Sequence, residues 1–136
     1  PLKSGEVSIY CCGVTPYNAP HIGNARPFVT WDVIRRFFHR LGYKVRYIQN
    51  FTDIDDKIIA AANKEGMTWQ EISQRYIGVY FKSMDALNIR HADLYPKVSE
   101  TMPDIISLIQ TLIDKGFAYE CFCTPEELEA ETETTG

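Results

Sequence analysis

No apolar stretch in the sequence approaches the ~20 residues that a membrane-spanning helix needs, and no secretory signal peptide opens it. The chain is therefore expected to be soluble and cytoplasmic, with no membrane partner. Positive charge is not in excess either. Fourteen Lys and Arg stand against eighteen Asp and Glu, a net charge of -4, which excludes a grip on nucleic acid over the whole surface and confines any RNA contact to a local basic patch. Cysteine is scarce, with four in 136 residues, set as the close pairs Cys11/Cys12 and Cys121/Cys123. In a cytosolic chain such pairs read as reduced thiols or metal ligands before disulfides. Internal repeats and a clear linker are also missing. What remains is 45% hydrophobic and 12% aromatic, enough to bury the core of one compact domain.

The most informative stretch is Cys12-Gly13-Val14-Thr15-Pro16-Tyr17-Asn18-Ala19-Pro20-His21-Ile22-Gly23-Asn24-Ala25-Arg26. It joins an apolar strand to an amphipathic helix through a loop of small residues, which is the plan of a phosphate site. A helix start offers unpaired N–H groups and the positive end of the macrodipole, and Gly23 allows a ligand to approach that backbone. His21 stands just before it, able to donate to a phosphate oxygen.

Residues 6–12 alternate as a strand, with Val7, Ile9 and Cys11 on one face and Ser8, Tyr10 and Cys12 on the other. From about residue 25 to residue 41, Val29, Val33, Ile34, Phe37 and Leu41 recur at helical spacing. That pattern puts them inward and puts Arg35, Arg36, His39 and Arg40 outward, with Gly42 as the stop. Val45, Tyr47 and Ile48 make a second strand ending at Asn50-Phe51. A strand, helix, strand unit of this kind belongs to a parallel α/β sheet, whose ligands sit beyond the carboxyl ends of the strands. Helices follow. Residues 52–57 form an acidic helix start with a stop at Gly66, and Thr68-Trp69-Gln70-Glu71 is a capping box opening a helix that carries Ile72, Tyr76, Val79, Tyr80 and Leu87. A further helix begins near Thr101, with Pro103 in its first turn, and runs through Ile105, Ile106, Ile109, Leu112 and Ile113 to Gly116. Residues 117–122 suit a strand, Thr124-Pro125-Glu126-Glu127 suits a short helix start, and residues 131–136 suit a frayed tail.

Three motifs resemble one family. Cys12-Gly13-x-Thr15-x-Tyr17, His21-Ile22-Gly23-Asn24-Ala25-Arg26-Pro27 and Asn50-x-Thr52-Asp53-Ile54-Asp55-Asp56-Lys57-Ile58 are similar, in order and spacing, to cysteinyl-tRNA synthetases of class I. The resemblance implies a Rossmann-like α/β fold of the HUP type, with parallel strands in the first half followed by a helical connective region. It makes residues 1–53 the nucleotide-binding unit and residues 54–136 the helical remainder with the start of the connective insertion. It implies ATP-dependent activation of cysteine, with Mg2+, and transfer to tRNA by a monomer. It assigns catalysis to His21 and Asn24, and ATP binding to Thr15, Tyr17, His21, Gly23 and Asn24. Cys12, Gly13, Thr15 and Thr52 are assigned to the amino acid, and Cys12 also to a zinc ion that reads the substrate thiol.

Each assignment has a plainer counterpart. His21 is otherwise a loop-capping histidine and Cys12 a buried core thiol, and the carboxylates of residues 52–57, which could suggest a metal site, read first as a helix start paired with Lys57. Arg35, Arg36, Arg40, Lys44 and Arg46 read as a solvated helix face before an RNA footprint. Cys11 reads as core packing. The chain also lacks the family's Lys-Met-Ser-Lys-Ser-like loop, its remaining zinc ligands and its anticodon-binding part. Residues 15–20 have a methionyl-enzyme flavour, and residues 118–128 look like glutamyl enzymes, though without the second ligand pair that a zinc site at Cys121/Cys123 requires. The mosaic points to a reconstructed, chimeric or truncated minimal form. A non-catalytic ATP-binding module is the alternative function.

Overall fold

A computed structural model describes residues 3–122 and 124. Strand β1 (Glu6–Val14) is followed by helix α1 (Ile22–Arg40) and strand β2 (Lys44–Phe51). Helices α2 (Asp56–Glu65), α3 (Trp69–Ala86) and α4 (Val98–Asp114) complete the order. The chain divides into two compact units, Pro1–Met102 and Pro103–Gly136. The expected helix start at 124–127 and tail at 131–136 lie outside the described residues, apart from Thr124.

β1 and β2 pair in parallel, Glu6 against Lys44 through Cys11 against Gln49, and the register slips between Cys11 and Val14. The expected alternation is present: Cys11 is buried and Tyr10 and Cys12 are exposed, while β2 turns Val45, Tyr47, Gln49 and Phe51 inward. The far edge of β2 is occupied as well. Gln49 and Phe51 donate N–H bonds to Leu94 and Pro96 carbonyls, at 3.1 and 2.9 Å, and Leu94 and Lys97 bridge β2 in parallel. No apolar alternation marks this segment in the sequence, because short bridges need backbone groups and not a hydrophobic face.

α1 is rotated from its expected orientation. Val29, Val33, Phe37 and Leu41 are all exposed, and the buried face is Ala25, Phe28, Asp32 and Arg35. The reason is electrostatic. Arg35 donates to the carbonyls of Arg90 and His91, lies 5.4 Å from the centre of the Tyr47 ring and reaches Asp93 at 3.7 Å. Asp32 accepts from the Arg90 N–H and from Arg36, which in turn donates to the Asn88 carbonyl. Buried charge is tolerated when it is paired and hydrogen-bonded, and here α1 uses it to hold residues 88–93 against β2. Two of the five cationic side chains expected on a solvated face are thus structural.

The capping signals in α2 and α3 hold. Asp55 caps α2, Gly66 ends it at φ 67, and Thr68 and Glu71 form the reciprocal box. Thr68 donates from its N–H and hydroxyl to Glu71, which holds that carboxyl below its ordinary range. α3 buries Ile72, Ser73, Ile77, Tyr80 and Met84, whereas Leu87 is exposed. Asp53 is no part of a helix start. It is buried and accepts from the N–H of Ser99, at 3.0 Å, and from its hydroxyl, capping α4 from a distance of 46 residues. α4 therefore begins at Val98 and Pro103 falls in its second turn. Beyond Met102, the apolar positions Ile106, Ile109 and Leu112 are exposed, and residues 117–122 form no strand.

Gly13 is the tightest point of the sheet. A Cβ there would stand 1.6 Å from the Asn50 carbonyl oxygen, and the Gly13 N–H donates to Asn50 Oδ1 at 2.7 Å. A Cβ on Gly78 of α3 would meet nothing within 4 Å outside its own helix backbone. Gly13→Ala is therefore expected to lower stability by about 3 kcal/mol, while Gly78→Ala raises it by about 0.5–1 kcal/mol. Urea unfolding followed by circular dichroism separates the two; an unshifted midpoint for Gly13→Ala would contradict the close crossing.

Candidate functional site

Past Val14 the chain leaves the sheet and turns. Tyr17 N–H bonds the Thr15 carbonyl at 3.0 Å, the Ala19 N–H bonds Asn18 Oδ1 at 2.8 Å, and Pro16 is fully buried beneath. The loop delivers His21 to the start of α1 as its N-cap. His21 Nδ1 accepts from the Gly23 N–H at 3.0 Å, and Asn24 Oδ1 accepts from the His21 N–H at 3.0 Å. Two consequences follow for the expected phosphate site. The helix start is already capped at Gly23, so its backbone there is not open to a ligand. With Nδ1 accepting, the neutral ring carries its proton on Nε2, and the Asn24 amide nitrogen keeps its two donors.

Gly23 has a different task from the one its position suggests. A Cβ on it would meet the His21 ring at 2.8–2.9 Å, so glycine makes room for the capping imidazole.

The loop, the α1 start and two further helices enclose a cleft of about 310 Å³, within the size range of small-ligand sites. Of the expected residues, Gly13, Thr15, Tyr17, His21 and Asn24 line it. Cys12, Gly23 and Thr52 are not among its lining residues. Cys12 and Thr52 nonetheless lie at one end of the sheet: Cys12 is two residues from Val14, whose carbonyl accepts the Thr52 N–H at 3.1 Å.

Lys57, Tyr76 and Tyr80 also line the cleft, although their sequence context points to other work. Tyr76 and Tyr80 stand four apart on α3 and pass as core aromatics by spacing alone. Tyr80 accepts a 2.6 Å bond from the Gln49 amide and packs edge-on against Phe28 and Phe51. Burial pushes its phenol well above the ordinary range, so it acts as a neutral wall.

The two neighbouring thiols differ sharply. Burial pushes the Cys11 thiol up, against a smaller lowering by the Tyr47 hydroxyl beside it, and its Sγ contacts the Cys12 carbonyl. Cys12 is exposed. Among the described residues no three His, Cys, Asp or Glu side chains come together as a metal ion would require. Within the described residues the donors around Cys12 fall short of a zinc site.

A parallel α/β unit with a cleft at the carboxyl end of its first strand belongs to the Rossmann-like class, whose ligands bind at that end. The family model described as tRNA synthetases class I (C) catalytic domain matches residues 1–133, and the chain belongs to this family. It is 54% identical over 119 residues to the cysteine–tRNA ligase of Cyanothece sp., a match that covers 88% of this chain and 24% of the relative. To the enzyme of Listeria welshimeri it is 53% identical over 120 residues, covering 88% and 26%. The chain thus spans about a quarter of the length of these relatives. Among solved structures, Mycobacterium tuberculosis methionyl-tRNA synthetase in complex with methionyl-adenylate is similar with a TM-score of 0.59. Its identity is 26%, covering 68% of this chain and 18% of that one. No helix of the described residues is long and apolar enough to cross a membrane.

The thiol contrast is directly measurable. At pH 8, iodoacetamide is expected to modify Cys12 in the folded chain and to reach Cys11 only after denaturation, as read by peptide mass spectrometry. Equal labelling of both in the folded chain would contradict the burial of Cys11.

Proposed function

We propose that the cleft binds ATP and that the chain is the nucleotide-binding part of a cysteine–tRNA ligase. The observation that carries this reading is the convergence of Thr15, Tyr17, His21 and Asn24 on one cleft at the carboxyl end of β1. Residues 1–53 supply the nucleotide-binding unit, and the following helices supply its outer wall.

In the reaction, the cysteine carboxylate attacks the α-phosphorus of ATP. A phosphorus–oxygen bond forms to the carboxylate, the bond to the β-phosphate bridging oxygen breaks, and magnesium pyrophosphate leaves with cysteinyl-adenylate remaining. The nucleophile is already ionised at neutral pH, so no strong base is needed. Catalysis consists of positioning and of stabilising charge on the phosphoryl oxygens. His21 suits this role: its Nδ1 is occupied by the Gly23 N–H, which leaves Nε2–H as the donor and fixes the ring's orientation. Asn24 offers its amide donors from the same turn. Gly13, Thr15, Cys12 and Thr52 belong to the amino-acid end of the site. Gly13 is also needed sterically, and Thr52 by its backbone bond to Val14. The relatives' names support transfer to tRNA, and a cytoplasmic location goes with that reading.

A second reading, a module that holds ATP without turning it over, is favoured by one observation: the Gly23 N–H at the α1 start is taken by His21 Nδ1 and is not offered to a phosphate. Cysteine-dependent ATP–pyrophosphate exchange separates the two. If the chain is active, His21→Asn keeps a capping acceptor but moves the donor, and is expected to slow exchange by about 2–4 kcal/mol of transition-state stabilisation. Exchange equal to that of the parent would remove His21 from the mechanism. Tight ATP binding with no exchange would leave the binding module.

A further inference from the structure

We propose that Lys57 is the cation that receives the phosphates of the nucleotide, held over the Tyr17 ring until the ligand arrives. The proposal rests on the ATP reading of the cleft and adds a residue to it.

Four observations lead there. Lys57 lines the cleft, and among the lining residues it is the one Lys or Arg and there is no carboxylate, in a chain whose net charge is -4. Two of the acids near it in sequence are engaged, Asp53 buried against Ser99 and Asp55 accepting the backbone N–H of Lys57, while Asp56 is exposed in the first turn of α2. Among the described residues the ammonium group makes no ion pair. What it meets is the face of Tyr17, with Nζ 5.8 Å from the ring centre, an attraction worth about 0.5–1 kcal/mol at an exposed site. Such a contact is weak enough to yield to a phosphate oxygen. Tyr17 lies four residues from His21 in the same lining loop, so the lysine and the imidazole Nε2–H border one anion-receptive space.

The binding of Mg-ATP and of adenosine to the 136-residue chain, measured by isothermal titration calorimetry at two salt concentrations, tests this. Lys57→Gln is expected to weaken ATP by about tenfold and Lys57→Glu by more, with adenosine unchanged and with less salt dependence than the parent shows. Lys57→Arg should stay within about threefold of the parent, since the charge is kept. Lys64→Gln removes a lysine of α2 that does not line the cleft, and should leave both ligands unaffected. ATP affinity unchanged in Lys57→Gln and Lys57→Glu would overturn the role of Lys57 while leaving the ATP site standing. Equal losses for ATP and adenosine would also overturn it, by making the effect structural. A parent that binds adenosine and ATP with the same affinity would overturn phosphate recognition by this lysine, and a parent that binds neither would overturn the nucleotide reading and this proposal together.

Discussion

Everything at the cleft depends on the contact between Gly13 and Asn50. Two parallel strands normally keep their backbones about 4.8 Å apart, yet the register of β1 slips between Cys11 and Val14. At that slip the Gly13 Cα faces the Asn50 carbonyl with no room for a side chain. The Asn50 side chain then takes the Gly13 N–H that the slip has freed from the ladder. Pairing resumes at Val14, which receives the Thr52 N–H. The loop of residues 15–20 therefore departs from a fixed point, and His21 reaches the α1 start in a geometry that its own ring and the Asn24 side chain lock.

A second set of bonds places the wall opposite. Arg35 and Asp32 draw residues 88–93 onto β2, and the buried Asp53 ties the start of α4 to the end of the same strand. Between these anchors α3 packs Tyr80 against Phe28 and Phe51, with its hydroxyl on Gln49. These polar groups are expensive to bury unless they are partnered, and among the described residues Arg35 Nε is the buried side-chain atom left without a partner. They thereby specify one arrangement of helices around the sheet, where apolar contacts alone would tolerate several.

Local signals in the sequence are legible wherever the physics is local. The alternation of residues 6–12, the box at Thr68 and Glu71, and the glycine stops at Gly66 and Gly116 all depend on neighbours within a turn. Long-range partners are not legible. The helix pattern of Val29, Val33 and Phe37 promises an inward face, but the partners that turn Arg35 and Asp32 inward lie more than fifty residues away. Asp53 looks like a helix-start acid for the same reason. At the cleft, the motif residues Thr15, Tyr17, His21 and Asn24 are evident. Lys57 is not, because a lysine among aspartates reads as paired until its own contact, the Tyr17 ring, is seen. The role of Gly23 is hidden likewise, since only the geometry reveals that the imidazole occupies the space its missing side chain leaves.

A second cleft tests whether charge or architecture decides where the nucleotide goes. It is larger, about 640 Å³, and is lined by Lys3, Glu6, Lys44 and Arg46 at the amino ends of the strands. On charge alone it would win. On architecture it loses, because the donors fixed by the Gly13 crossing and the α1 cap are at the carboxyl ends. Photolabelling of the chain with an azido-ATP, followed by peptide mapping and competition with unlabelled ATP, decides between them. Competable label is expected in residues 13–24 or at Lys57, Tyr76 or Tyr80. Competable label confined to residues 3–8 and 38–46 would contradict a nucleotide site at the carboxyl ends.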